Sequence, residues 1–259
     1  MLHAGLDVGA LWTKAVVLAD GRIAGRASLP TWEGGDRIAE DVLREALGPL
    51  GATIGDVAFT VATGAGKDEA GFAQERATEV VCAARGIRHL VPGAMGVIDL
   101  GAESARAVKL DAGGNVVDYI VSDKCASGTG IFLDAIGKVM GVTVEEMGPL
   151  SLESTSEVEI TSTCVVFAES EVVSQVARRT PTKDILRGIH RSIASRVHST
   201  VMRIRLADDN AAIGGLARNV GIISFLEQMM GRRLTVPADP DLVPALGAAL
   251  IAAQKGGSP

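Results

Sequence analysis

HAGLDVG, residues 3–9, and MGVIDLG, residues 95–101, are the stretches whose reading decides the fold. Each is a short apolar run ending in Asp-x-Gly, and each is followed by a second apolar run, a turn and a third run. In the first case these are LWTKAVVL, Asp20-Gly21 and RIAGRASL; in the second they are AESARAVKL, DAGGN and VVDYIV. Apolar runs of this length bounded by turn residues read as strands joined into hairpins. The correspondence keeps register: Asp7 and Asp99, Gly9 and Gly101, Lys14 and Arg106, and Gly21 and Gly113 all stand 92 positions apart. A duplicated strand-and-hairpin module is the simplest account, so the chain reads as an α/β protein of two related lobes.

Between the copies, residues 68–85 have helical character, with Gly86 as a stop and a loop at Pro92-Gly93. That loop is the expected boundary, giving a first lobe over 1–91 and a second over 92–259. Beyond the second hairpin the chain is mainly helical. Ile185, Ile189, Ile193, Val197 and Val201 recur at steps of four and predict one long helix with a buried stripe, for which Thr182 is the expected N-cap. A short strand at residues 211–213 runs into Gly214-Gly215 and a further helix, and an apolar helix is expected over about residues 243–253.

Composition narrows the function classes. With 259 residues and 47% hydrophobic content the chain can bury a large core. A net charge of −6 and only 3% aromatic residues supply neither a basic field nor stacking surfaces, which argues against nucleic acid. The N-terminus lacks a basic region, a hydrophobic signal core and a cleavage site, so a cytoplasmic protein is expected. Residues 242–253, the most apolar late segment, contain Pro244 and Gly247 and are too short to cross a bilayer. Three widely spaced cysteines, Cys82, Cys125 and Cys164, make a poor disulfide framework and read as reduced thiols or as metal or cluster ligands.

An aspartate at the end of a buried strand, followed by Gly9 and a tight hairpin, puts backbone N–H groups where a phosphate can approach without a Cβ in the way. Lys14 adds positive charge. The second copy offers Asp99, Gly101 and Arg106, so two hairpins are expected to clasp a polyphosphate, with an aspartate as a hard ligand for Mg²⁺ directly or through water. Gly214-Gly215, between a strand and a helix, lets an adenosine lie close to backbone. Cys125 in DKCASGTG and Cys164 in STCVVFAESEVV each precede a helical stretch. Helix N-termini favour thiolate, the species that binds a metal or cluster. Gly128 and Gly130 make the loop around Cys125 rich in backbone, whereas Cys82 reads as a small core residue. Two cysteines per chain cannot complete a four-thiolate site; a homodimer with its twofold axis through the site supplies four, the number a 4Fe–4S cluster takes, with zinc at the same interface as the alternative. His190 and His198 share one helix without a zinc-protease pattern and read as solvated or satisfied structural groups.

These motifs resemble a known family, the ATPase components that activate 2-hydroxyacyl-CoA dehydratases together with the ATP-binding subunits of benzoyl-CoA reductases. The similarity runs from GLDVG through ATGAGK, VIDLGA, DKCASGTGIFLD, STCVVFAESEVVSQ, DILRGIHRSIASRV and IGGLARNVG to LGAALIAA. The resemblance implies a duplicated actin/sugar-kinase/Hsp70-like (ribonuclease H-like) ATPase fold, with two lobes around a nucleotide cleft that takes ATP and Mg²⁺. It implies one 4Fe–4S cluster per dimer, held by Cys125 and Cys164 of this chain and of a second copy or homologous subunit. It also implies that ATP rearranges the helices behind those cysteines, so that an electron from ferredoxin or flavodoxin reaches a CoA-thioester reductase or dehydratase partner.

The sequence departs from the family pattern twice. Ser and Thr usually follow the second glycine of the first motif; here Ala10, Leu11 and Trp12 precede Thr13, which reduces the hydroxyl contacts to phosphate and leaves Thr13 a candidate contact. The second motif typically continues Gly-Gly-Gln-Asp, whereas this chain has Gly101-Ala102-Glu103-Ser104. Glu103 is then the candidate for orienting the attacking water, with Asp7 and Asp99 as the other catalytic candidates. The Gly-Ala step and the segment before Cys164 look closer to a benzoyl-CoA reductase ATPase subunit. A small-molecule kinase of the same fold and a non-catalytic nucleotide-switched sensor are the competing readings.

Overall fold

The computed structural model describes residues 1–34, 37–122, 130–156, 158–160 and 165–257. The chain divides into two compact units. The first comprises Met1–Ala94, Leu110–Val116 and the C-terminal stretch from Asp241; the second comprises Met95–Lys109 and Val117–Pro240.

The first unit is built on strands β1 (Leu2–Val8), β2 (Trp12–Ala19), β3 (Arg22–Pro30), β4 (Val57–Thr63) and β5 (Glu75–Arg76), in the order β3-β2-β1-β4-β5. β1 is the middle strand, antiparallel to β2 and parallel to β4. It is covered on both faces, which is why its sequence reads as a continuous apolar run and not as an alternation. Asp20 and Gly21 turn the chain from β2 to β3 with φ of 49° and 76°, the two positive values that an Asp-Gly hairpin turn supplies at low cost. Helix α1 (Thr31–Gly34) is a single turn after β3, and α2 (Ile38–Leu47) lays Val42, Leu43, Ala46 and Leu47 on the sheet.

The helices of this unit depart from the sequence reading. The helix predicted from residue 68 begins only at Glu79, because residues 67–69 form a short 3-10 turn and Glu75–Arg76 pairs with β4. That helix, α3 (Glu79–Leu90), is N-capped by Thr78 and runs through Gly86 without stopping. A Cβ on Gly86 would lie 2.2 Å from the Val243 carbonyl, so the glycine serves close approach of another helix. The partner is α9 (Val243–Gly256), which the sequence places in the second lobe and the structure packs in the first unit. Its small residues let it sit directly on β1 and α3: a Cβ on Gly5 would be 2.1 Å from the Ala245 carbonyl, and one on Gly247 would be 1.8 Å from the Cys82 carbonyl.

The second unit repeats the sheet. Strands β6 (Gly96–Leu100), β7 (Ala105–Leu110), β8 (Val116–Val121), β9 (Asn210–Ile213) and β10 (Leu234–Thr235) lie in the order β8-β7-β6-β9-β10, matching the first sheet position by position. β6 is antiparallel to β7 and parallel to β9, as β1 is to β2 and β4. Helices α4 (Gly130–Met140), α5 (Val144–Glu153), α6 (Val165–Ala177), α7 (Thr182–Met202) and α8 (Val220–Met230) complete it. The predicted stripe of α7 is fully realised, since Ile185, Ile189, Ile193, Val197 and Val201 all join one core with Phe132, Leu133, Phe225 and Leu226. Burying each such side chain contributes about 1.5–3 kcal/mol. Thr182 is the first helical residue of α7 and not its cap; Pro181 takes that position, its fixed φ suiting the entry.

Candidate phosphate turns and nucleotide loop

The two hairpins carry the same site at their turns. In the first, Asp7 on β1 stands opposite Lys14 on β2, and Lys14 Nζ donates to Asp7 Oδ2 at 3.2 Å. In the second, Asp99 on β6 stands opposite Arg106 on β7, and Arg106 Nη1 donates to Asp99 Oδ2 at 3.0 Å. Both aspartates are buried, with 7% and 4% of their surface exposed, so each charge depends on a partner. The turns close alike: Gly9 N donates to the Trp12 carbonyl at 3.2 Å and Gly101 N to the Ser104 carbonyl at 3.1 Å. A Cβ on Gly9 or Gly101 would sit 2.6 or 2.9 Å from those carbonyl oxygens, so only glycine fits without displacing the turn.

The duplication extends to a residue that sequence reading missed. Gly64 follows β4 and Gly214 follows β9, the parallel neighbours of β1 and β6, with φ of 96° and 87°. A Cβ on Gly64 would meet the Val8 carbonyl at 2.3 Å and Asp7 Oδ1 at 2.7 Å; one on Gly214 would meet the Leu100 carbonyl at 2.4 Å and Asp99 Oδ1 at 2.7 Å. Each carboxylate is therefore held between a cation on one strand and a bare glycine backbone on another. In the sequence Gly214 stands out as half of a Gly-Gly step; Gly64, in ATGAGK, has no paired glycine, and its signal appears only once β4 is seen to occupy the place of β9. Gly66 N also donates to the Val8 carbonyl at 2.9 Å.

The remaining sequence candidates divide. Glu103 is exposed in the second turn. Gly215 opens a short 3-10 turn, Gly215–Arg218, with open space where its Cβ would stand. The turn leads to Asn219, whose Oδ1 accepts from Gly221 N and Ile222 N and caps α8. Thr13 faces inward: it is fully buried and its hydroxyl pairs with Thr31 at 3.0 Å, which makes it a framework group of the turn. Gly130 is the first residue of α4, and its amide donates to the Gly101 carbonyl at 3.3 Å, while Ile131 N donates to the Ala102 carbonyl at 3.2 Å.

Cys125, Gly128 and Cys164 lie outside the described residues; α6 begins at Val165, the residue that follows Cys164 in sequence. Among the described residues no group of three or more His, Cys, Asp or Glu side chains could hold a metal ion. Cys82 is a buried core thiol, its pKa pushed up to about 12 by burial. His190 is buried rather than solvated, with Nδ1 2.8 Å from the Leu186 carbonyl, and burial pushes its pKa down to about 4. No helix among the described residues is long and apolar enough to cross a membrane.

Two sheets of one order, each with an acid–base pair on a glycine turn at the end of its middle strand, define a duplicated nucleotide-phosphate fold of the actin and sugar-kinase class. In agreement, a glucokinase of the ROK family from Streptomyces griseus superimposes with a TM-score of 0.60 over 98% of this chain and all of its own, at 14% identity, a likeness of fold alone. Much nearer is the activator of the 2-hydroxyisocaproyl-CoA dehydratase from Clostridioides difficile. It is 38% identical over 97% of this chain and 95% of its own, and its structure with bound ADPNP has a TM-score of 0.95, covering 99% of this chain and 96% of that one. A component of the benzoyl-CoA reductase of Thauera aromatica is 32% identical over 96% of this chain and 92% of its own. The BadF/BadG/BcrA/BcrD ATPase family profile matches residues 4–252, and the chain belongs to that family.

Proposed function

We propose that this chain is the ATP-hydrolysing, electron-transferring component of a CoA-thioester dehydratase or reductase system. The observation that carries this reading is the acid–base turn, built twice with the same hydrogen bonds, in a chain of this ATPase family. In this reading the N–H groups of the turns, with Lys14 and Arg106 behind them, meet phosphate oxygens. Asp7 and Asp99 are hard carboxylates, each with one oxygen engaged by a cation, which suits them to order water around a phosphate-bound Mg²⁺ rather than to surround the ion. Glu103 would orient the attacking water, and the Gly214-Gly215 step would lie against adenosine. Of the two systems a dehydratase activator is favoured, because identity to the Clostridioides difficile activator exceeds that to the Thauera aromatica reductase component.

Cys125 and Cys164, with the same pair from a second copy or a homologous subunit, would hold a 4Fe–4S cluster, which supplies one-electron chemistry at low potential. Ferredoxin or flavodoxin would be the donor, in the cytoplasm. The bonds from Gly130 N and Ile131 N to the carbonyls of Gly101 and Ala102 support a coupling of nucleotide state to this region. α4 starts five residues after Cys125 and is tied by its first two amides to the second phosphate turn. Anaerobic purification tests the reading. A brown protein with about four irons per two chains, and ATP hydrolysis that activates a 2-hydroxyacyl-CoA dehydratase, are expected. A colourless protein that phosphorylates a sugar would replace the reading with the kinase.

A further inference from the structure

The first phosphate turn has Ala10, Leu11 and Trp12 where hydroxyl-bearing residues would contact phosphate, yet it is not loosely held. Thr31, the residue after β3, reaches it three ways. Thr31 Oγ1 donates to the Gly9 carbonyl at 2.8 Å, Thr31 N donates to the Leu11 carbonyl at 2.9 Å, and Thr31 Oγ1 lies 3.0 Å from Thr13 Oγ1. A threonine hydroxyl has one proton, and that of Thr31 goes to Gly9; Thr13 must therefore be the donor of the remaining bond. The result is a directed chain from the buried Thr13 hydroxyl through Thr31 to the Gly9 carbonyl. Because a trans peptide points its C=O and the following N–H in opposite directions within one plane, fixing the Gly9 carbonyl aims Ala10 N–H away from Thr31. Fixing the Leu11 carbonyl does the same for Trp12 N–H.

The second copy supplies an independent observation. There the carbonyl of Gly101, the counterpart of Gly9, also accepts an extra bond, but from Gly130 N of α4. Both copies thus restrain the same peptide, one through a helix and the other through a side chain.

We infer that Thr31 is a positioning residue for ATP phosphate: it orients the backbone N–H groups of Ala10 and Trp12, which serve as the phosphate donors in place of side-chain hydroxyls. The inference rests on reading the first turn as a phosphate site. Thr31→Val keeps the shape and the amide but removes the hydroxyl, and Thr31→Ser restores it. In the whole protein Thr31→Val should raise the KM for ATP about fivefold with a much smaller change in kcat, the scale of one lost hydrogen bond. Thr31→Ser should return KM to within about twofold of wild type. Trp12 and Trp32, the protein's two tryptophans, stack edge to face at 6.4 Å beside Thr31, so their fluorescence can report binding directly.

ADP affinity should fall with that of ATP in Thr31→Val, whereas AMP affinity should hold, since AMP lacks the outer phosphates. A residue that only stabilises the fold would lower the melting temperature and leave the ATP-to-AMP affinity ratio unchanged; that outcome overturns the inference. Should the valine variant not fold, Thr31→Ala makes the same comparison without the added methyl. If Asp7→Asn leaves ATP turnover intact, the phosphate-site reading itself fails and Thr31 falls with it. If Asp7→Asn abolishes turnover while Thr31→Val keeps the wild-type KM, only the role of Thr31 is refuted.

Discussion

Gly214→Ala is the sharpest test of how the structure holds its acids. Gly214 has φ 87° and ψ 170°, a region that side-chain-bearing residues enter at a cost of about 1–3 kcal/mol. The new methyl would stand 2.4 Å from the Leu100 carbonyl and 2.7 Å from Asp99 Oδ1, well inside van der Waals contact. Relieving that crowding adds about 1–3 kcal/mol, so a total of about 2–6 kcal/mol is expected. At roughly 2–4 °C per kcal/mol for a chain of this size, the melting temperature should drop by about 5–20 °C. Turnover should fall further than the folded fraction does, because the displaced group is the carboxylate paired with Arg106. Gly215→Ala is the internal control. Open space surrounds its Cβ position, so stability should change by less than about 0.5 kcal/mol, while ATP affinity falls if adenosine lies against it. Gly64→Ala should reproduce the Gly214 result, its methyl meeting Val8 and Asp7. Thermal unfolding and steady-state ATP hydrolysis on the three variants decide the matter. A Gly214→Ala protein with wild-type melting and turnover, or an equal loss of stability at Gly215, refutes the reasoning.

Asp7→Asn and Asp99→Asn should each lower ATP turnover by about a hundredfold or more, and wild-type rates in both would remove the proposed site. Substituting Cys125 or Cys164 by alanine should abolish the iron chromophore, while Cys82→Ala should keep it. With its pKa near 12, Cys82 should also resist alkylation in the folded protein at neutral pH, and rapid modification there would contradict its burial. His190 predicts an acid dependence. Its unfolded imidazole titrates near 6.5 and the folded one near 4, so below about pH 6.5 the unfolded chain takes up a proton that the folded chain refuses. Stability should therefore be unaffected by this group above pH 6.5 and decline by up to about 3 kcal/mol as the pH falls towards 4. Denaturant titrations of wild type and His190→Gln across that range should differ in slope; equal slopes would exclude His190 as the cause.

Much of this protein is legible from residue order because the information is local. The Asp-x-Gly turn, the Asp20-Gly21 reversal and the spacing of Asp7 to Lys14 and Asp99 to Arg106 all lie within single hairpins, where register follows from turn length and a side-chain period of two. The α7 stripe is likewise a property of one helix. The cysteines of the proposed cluster are candidates on sequence grounds alone. What only the tertiary structure decided are relations between segments far apart in the chain. Gly64 is the counterpart of Gly214, although no constant offset links them, because β4 and β9 take the same place beside β1 and β6. Thr31 reaches back across two strands to the first turn. Gly86 passes for a helix stop until α9 is found against it, and α9 belongs to the first unit because its glycine and alanine surface fits the backbones of β1 and α3. A glycine's local preference is the same whether it ends a helix or admits a neighbour; which of the two it does is set by the shape of what packs against it.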